Sequence, residues 1–288
     1  MKNIKIKIGE EAGFCFGVKR AVELVDKILN DSEKQVYCWG DLIHNPSVKE
    51  RLEKKGLKII QDVQDFPEGE VFVIRSHGIS LENLKEIEKK AVSIIDTTCP
   101  FVNKAQKEAK NFQEKGFNVL ILGDKNHPEV KGIESWARNG GKVLVINSLE
   151  ELVSEKDQLK GKWGIVCQTT QKKSLLESII NVLDEWGVAA EVKDTICLDT
   201  NKKRDELKEE LDESNLLIVL GGLKSSNTNK LAEIGRKKGI KTYHVEKAED
   251  ILSDWFFDEA RVFLTAGAST PVEEIVKAEK RLRKITLE

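Results

Sequence analysis

The sequence predicts an α/β protein built from three repeated modules. Strand-like apolar runs alternate with amphipathic helical runs along all 288 residues, as in parallel sheets joined by helical crossovers. Cys15, Cys99 and Cys197 occupy equivalent turns between such runs, 84 and 98 residues apart. Aligning the chain on them exposes an internal repeat of about 90 residues, each copy carrying three polar turns that follow strands.

The first module, residues 1–97, opens on the alternating run 4–8, which leads to Cys15. Strands are expected at 35–39 and 71–74, with helices at 46–55 and 81–90. A buried-strand run at 91–95 leads through Asp96-Thr97-Thr98-Cys99 into a helical run at 104–110. The second module, 98–195, has strand runs at 119–122, 142–146 and 163–167, and a helix at 173–186. The tetrad returns in near-copy as Asp194-Thr195-Ile196-Cys197. The third module, 196–288, has strands at 216–220 and 261–265, a helix at 229–238 and a C-terminal helix. Gly56, Gly116, Gly187 and Gly239 stand where helices need a left-handed residue to stop.

Charge and composition exclude some functions. Forty-seven basic against 49 acidic residues leave a net charge of −2, so nothing favours nucleic acid as a partner. No apolar run approaches the ~20 residues that span a bilayer. The N-terminus alternates like a strand and lacks the apolar core of a signal peptide, so a cytoplasmic location is expected. Five cysteines in that compartment point to metal or redox chemistry rather than disulfides.

The three turns of each module collect the chemistry. The first holds the cysteine. The second follows 28 to 30 residues later and contains His44-Asn45, then His127-Pro128-Glu129, then Ser225-Ser226-Asn227. The third is Arg75-Ser76-His77-Gly78, then Gln168-Thr169-Thr170, then Ala266 to Thr270 with Ser269. Ligands collect at the carboxyl ends of parallel strands. Three such modules around a pseudo-threefold axis would direct all nine turns at one point.

Free cysteines are commonly core residues, but threefold repetition argues for a shared soft ligand set. Zinc competes, although its sites usually draw on local pairs such as C-x2-C, and none exists here. Three thiolates also suit an iron–sulfur cluster with one iron left open to substrate. Cys38 reads as core and Cys167 as a neighbour of the Thr169 turn. Three of the four histidines fall in repeated turns and His244 in a strand. With the hydroxyl and amide side chains they would make a cup for a diphosphate held without magnesium. Glu129, two residues after His127, is a candidate general acid, whereas Asp41 and Asp124 are expected to orient turns. Neither a Walker A motif nor a dinucleotide-binding glycine pattern after the first strand is present.

These residues resemble a known family, the 4-hydroxy-3-methylbut-2-enyl diphosphate reductases of the non-mevalonate isoprenoid pathway. The likeness covers essentially the whole chain. Its motifs are Ala12-Gly13-Phe14-Cys15-Phe16-Gly17-Val18, His44-Asn45, Arg75-Ser76-His77-Gly78, Thr98-Cys99-Pro100, His127-Pro128-Glu129-Val130, Gln168-Thr169-Thr170, Ser225-Ser226-Asn227-Thr228 and Thr265 to Ser269. The resemblance implies a trefoil of three α/β modules around a 4Fe–4S cluster. It implies Cys15, Cys99 and Cys197 as ligands of three irons, the fourth binding the substrate hydroxyl. His44, His77, His127, Ser225, Ser226, Asn227 and Ser269 would hold the diphosphate. Glu129 would supply protons, with Thr169 near the hydroxyl. The implied reaction is a two-electron dehydroxylation to isopentenyl and dimethylallyl diphosphates, fed by reduced ferredoxin or flavodoxin.

The third module departs from the pattern C-x-A/P-T-x-x-R-Q that the family usually shows. Asp199, Lys203 and Arg204 replace a small residue, the arginine and the glutamine, while Thr200 is kept. A carboxylate two residues from a ligand would lower the cluster's potential or turn outward to a local lysine. Two other readings stay open: a related iron–sulfur reductase or dehydratase acting on another phosphorylated allylic substrate, and a non-enzymatic iron–sulfur sensor or zinc-stapled binding protein.

Overall fold

The computed structural model of the protein describes residues 4–138 and 140–287. Among these, twelve strands form three parallel sheets of four. They are β1 Lys5–Ile8, β2 Val36–Trp39, β3 Lys58–Ile60, β4 Val71–Ile74, β5 Ser93–Asp96, β6 Asn118–Leu122, β7 Val143–Ile146, β8 Trp163–Cys167, β9 Ala190–Val192, β10 Leu216–Leu220, β11 Lys241–Val245 and β12 Arg261–Ala266. Helices α1 Phe16–Asp31, α2 Pro46–Lys54, α3 Leu81–Lys90, α4 Pro100–Glu114, α5 Pro128–Trp136, α6 Leu149–Ser154, α7 Lys173–Glu185, α8 Leu198–Glu210, α9 Ser226–Lys237 and α10 Val272–Leu287 join them.

Two compact units are distinguished. One comprises Met1–Glu23, Ile43–Gly56 and Leu198–Glu288; the other comprises Leu24–Leu42 and Leu57–Cys197. The first unit contains the sheet β11-β10-β12-β1, and the second contains β3-β2-β4-β5 and β7-β6-β8-β9. The three strand orders are the same when each sheet is read from its second strand. In the two sheets of the second unit the chain lays down an inner strand, crosses to one edge, returns beside the inner strand, then moves to the other edge; in the first unit β10, β11 and β12 repeat the first three steps, and β1, laid down earlier, takes the other edge. The order therefore reverses between the two inner strands, where α/β sheets open a crevice at their carboxyl ends.

The fourth strand of each sheet leads to a cysteine: β5 to Cys99, β9 to Cys197 and β1 to Cys15. β1, grouped with residues 1–97 in the sequence reading, instead pairs with β12 from Lys5↔Arg261 to Ile8↔Leu264. The reason is local. β12 leads into α10, and β1 takes the hydrogen-bonding edge beside β12.

Alternation within the inner strands builds a core on both faces. Leu120 and Leu122 pack with Ile165, Cys167 and Ile179 on one side of their sheet. Val119 and Ile121 pack with Phe112, Ile133 and Val166 on the other. Leu216, Ile218 and Leu220 likewise separate from Leu217 and Val219 in the first unit. A sheet covered on both faces is what near-continuous apolar runs encode. Gly56, Gly116, Gly187 and Gly239 all adopt positive φ at helix ends, as expected. No helix among the described residues is long and apolar enough to cross a membrane.

Candidate functional site

Each cysteine is placed by the same device. The Cys15 N–H donates to Ala268 O at 3.1 Å, the Cys99 N–H to Ser76 O at 3.0 Å and the Cys197 N–H to Thr169 O at 2.8 Å. The acceptors all lie in the third turn of a module, so the backbone of that turn seats the next cysteine. Each cysteine immediately precedes a helix: α1, α4 or α8. None of the three is in a disulfide; Cys15 and Cys99 are half-buried and Cys197 is buried.

In the second unit, the repeated tetrad has a division of labour. Asp96 and Asp194 accept the N–H two residues on, at 2.9 and 3.0 Å, and so close the turn. Thr97 Oγ1 donates to Ile74 O at 2.5 Å, and Thr195 Oγ1 to Cys167 O at 2.6 Å, tying each turn to the neighbouring inner strand. Thr195 Oγ1 also accepts the Cys167 N–H at 2.8 Å. Cys167 thus proves to be a wholly buried strand residue whose backbone anchors the Cys197 turn. Cys38 is core in β2, and burial pushes its thiol up to about 12.

The second unit also carries His77, His127, Glu129 and Thr169. The rings of His77 and His127 meet edge-on, 5.5 Å between centroids. His127 caps α5, its Nδ1 accepting the Glu129 N–H at 3.2 Å, so the neutral ring presents Nε2–H. Glu129 is 3% exposed. Its Oε1 accepts the Thr169 N–H at 2.6 Å, and its Oε2 accepts from Thr169 Oγ1 at 2.9 Å. Thr169 therefore holds Glu129 with its amide and hydroxyl, and the Cys197 turn with its carbonyl. Asp124 orients the turn as expected: Oδ1 accepts the Asn126 N–H and its carbonyl accepts the His127 N–H, each at 2.9 Å. Gln168, buried at 1% exposure, accepts the Asp124 N–H at 3.1 Å.

The first unit carries Cys15, His44, Ser225, Ser226, Asn227 and Ser269. Burial pushes the Cys15 thiol up, opposed by the Val18 and Gly17 N–H groups at the start of α1. Asp199 pushes it further up and Lys203 pulls it down. The low thiol pKa expected at a helix N-terminus is thus overridden by desolvation. The His44 carbonyl accepts from Ser269 Oγ at 3.1 Å. A Cβ on Gly222 would stand 2.4 Å from that carbonyl oxygen, so the close approach requires glycine. Asn45 caps α2, accepting the Ser47 and Val48 N–H groups.

The segment 225–227, read from sequence as a polar turn ahead of a helix at 229, enters the helix earlier. Ser225 is the N-cap of α9, its hydroxyl accepting the Thr228 N–H, and Ser226 and Asn227 form the first turn. Asn227 is 4% exposed, and neither its amide oxygen nor its nitrogen has a hydrogen-bond partner among the described residues. Such a buried amide is open to a ligand or an ordered water. His244, as expected, is a strand residue; its Nε2–H donates to Gly221 O at 2.9 Å. Glu206 was not singled out from sequence, yet its carboxylate accepts the Glu10 and Glu11 N–H groups ahead of Cys15. No local pattern signals a contact across some 196 residues.

Comparison with known proteins adds to this geometry. The model of the family described as LytB protein matches residues 6–283. The chain belongs to the LytB family. Curated relatives include the 4-hydroxy-3-methylbut-2-enyl diphosphate reductase of Geotalea uraniireducens, 37% identical over 284 residues, with 98% of this chain and 99% of the relative covered. The protein of the same name from Syntrophotalea carbinolica is 39% identical over 277 residues, with 95% and 98% covered. A solved structure of (E)-4-hydroxy-3-methyl-but-2-enyl diphosphate reductase, the terminal enzyme of the non-mevalonate pathway, matches with TM-score 0.72 at 37% identity, covering 99% of this chain and all of that one. The E-1-hydroxy-2-methyl-but-2-enyl-4-diphosphate reductase of Plasmodium falciparum matches with TM-score 0.88 at 27% identity, covering 98% and 87%. LytB membership accords with the three like-ordered sheets and the α/β class expected from sequence.

Proposed function

We propose that this chain removes the hydroxyl of 4-hydroxy-3-methylbut-2-enyl diphosphate, giving isopentenyl and dimethylallyl diphosphates as the last step of the non-mevalonate isoprenoid pathway. The observation that carries this reading is the cysteine turn, built three times with the same carbonyl anchor, in a chain of this family.

The donor set suits a 4Fe–4S cluster with one iron left to substrate. It offers three thiols outside any disulfide, each one residue ahead of a helix whose free N–H groups favour an anionic sulfur. Cys15, Cys99 and Cys197 are assigned as its ligands. When bound, the cluster supplies electrons and a Lewis-acidic iron for the departing hydroxyl.

The remaining work falls to side chains. His44, His77 and His127, with Ser225, Ser226, Asn227 and Ser269, are assigned to the diphosphate. The two unpartnered amide atoms of Asn227 support its part in this. Glu129 is assigned as proton donor, and Thr169 Oγ1, one hydrogen bond from it, positions the hydroxyl or passes the proton. Two electrons and two protons enter, and the hydroxyl oxygen leaves as water. Reduced ferredoxin or flavodoxin is the expected donor, delivering one electron at a time.

Anaerobically purified protein should be brown, carry iron and sulfide, and turn over the allylic diphosphate with a chemical reductant. A colourless preparation holding zinc and no iron would overturn the cluster assignment. A brown preparation that binds but does not reduce the substrate would overturn the substrate assignment and favour another phosphorylated allylic compound.

A further inference from the structure

The face of α8 that carries Asp199, Lys203 and Glu206 is unexplained by the roles assigned so far. These residues are three and four apart, hence neighbours on one side of the helix. Glu206 holds this face against the approach to Cys15 by accepting the Glu10 and Glu11 N–H groups. The fit is close: a Cβ on Gly9 would stand 3.0 Å from Glu206 Oε2 and 3.1 Å from the Phe263 ring.

Lys203, one turn before Glu206, is only 3% exposed. No carboxylate closes an ion pair with it among the described residues; Glu11, Glu206 and Asp199 act on it only at longer range. Of the charged groups that act on it the Cys15 sulfur is the strongest, and Glu206, one turn on, ties the same face of α8 to the Glu10–Glu11 segment ahead of Cys15. Burying a cation without a close anion carries a large desolvation penalty, so such a lysine implies an anionic neighbour in the working protein. The Cys15 sulfur, as a thiolate bound to an anionic cluster, provides one.

We propose that Lys203 is a positioning residue for the Cys15 sulfur, its buried positive charge raising the reduction potential of the group that Cys15 holds, with Asp199 one turn earlier opposing it. This rests on the cluster assignment and deepens it. Asp199, one turn before Lys203 on the same face of α8, is a second, opposite adjustment, and the pair sets the potential within this chain.

The test is a redox titration of anaerobically purified, cluster-loaded protein, followed by its absorption and paramagnetic signals, with iron and sulfide measured alongside. Lys203→Met should make reduction harder by about tenfold in the equilibrium constant, about 59 mV for one electron. Lys203→Arg should restore the wild-type midpoint, and Asp199→Asn should shift it the opposite way. Lys203→Met and Asp199→Asn both titrating at the wild-type midpoint, with full iron content, would overturn the proposal. If Lys203→Met loses the cluster, Asp199→Asn decides: a raised midpoint supports the charge mechanism and an unchanged one overturns it. Wild-type protein without iron would overturn the cluster assignment itself, an outcome read separately from any shift among variants.

Discussion

Glu129 and Thr169 owe their juxtaposition to two turns 40 residues apart. The carboxylate is buried, and both of its oxygens accept hydrogen bonds from Thr169. A group held in this way keeps one orientation, which a proton donor needs. Glu129→Gln should preserve bound iron and lower turnover by about 10²- to 10⁴-fold, the usual share of a positioned acid. Retention of full turnover would remove Glu129 from proton transfer while leaving the cysteine assignment intact. At this scale much was legible from sequence: Glu129 stood out because it follows a histidine in a repeated turn. Its partner oxygens and the anchoring of Cys197 by the Thr169 carbonyl were not, because they arise from contacts between distant turns.

Among the elements, the cysteine turns depend on their threonines. Thr195 Oγ1 both donates to and accepts from the Cys167 backbone, joining the end of β9 to the end of β8. Thr195→Val keeps the shape and removes the two hydrogen bonds between the hydroxyl and the Cys167 backbone, at a cost of about 1–3 kcal/mol. Denaturant unfolding should show that loss, and an unchanged midpoint would mean that the turn is held by other contacts. The start of α9 shows where local sequence misleads. Ser225-Ser226-Asn227 reads as loop because these residues favour turns, yet Ser225 caps the helix and draws its successors into the first turn. The strands β3 and β9, of three residues each, escaped the sequence reading because so few positions establish no period.

For the molecule as a whole, the five cysteines divide by environment. Cys15, Cys99 and Cys197 end strand-to-helix turns, whereas Cys38 and Cys167 are strand residues with no exposed surface. Replacing any of the first three by serine should lower the iron content of anaerobically purified protein. Cys38→Ala and Cys167→Ala should keep it and show only reduced stability, since a buried thiol behaves as a small apolar group. Loss of iron in either alanine variant with unchanged stability would contradict that division. The sequence by itself determined the α/β class, the repeat, and the residue types offered at each turn, because strand and helix periods and recurring turns are local and need no partner to be read. Only the tertiary structure decided that β1 completes the sheet of β10, β11 and β12, that the third turn of each module seats the next cysteine through a carbonyl, and that Glu206 of α8 holds the backbone ahead of Cys15. Those outcomes depend on which edge is left open and on which distant backbone atoms meet, and no periodicity along the chain encodes either.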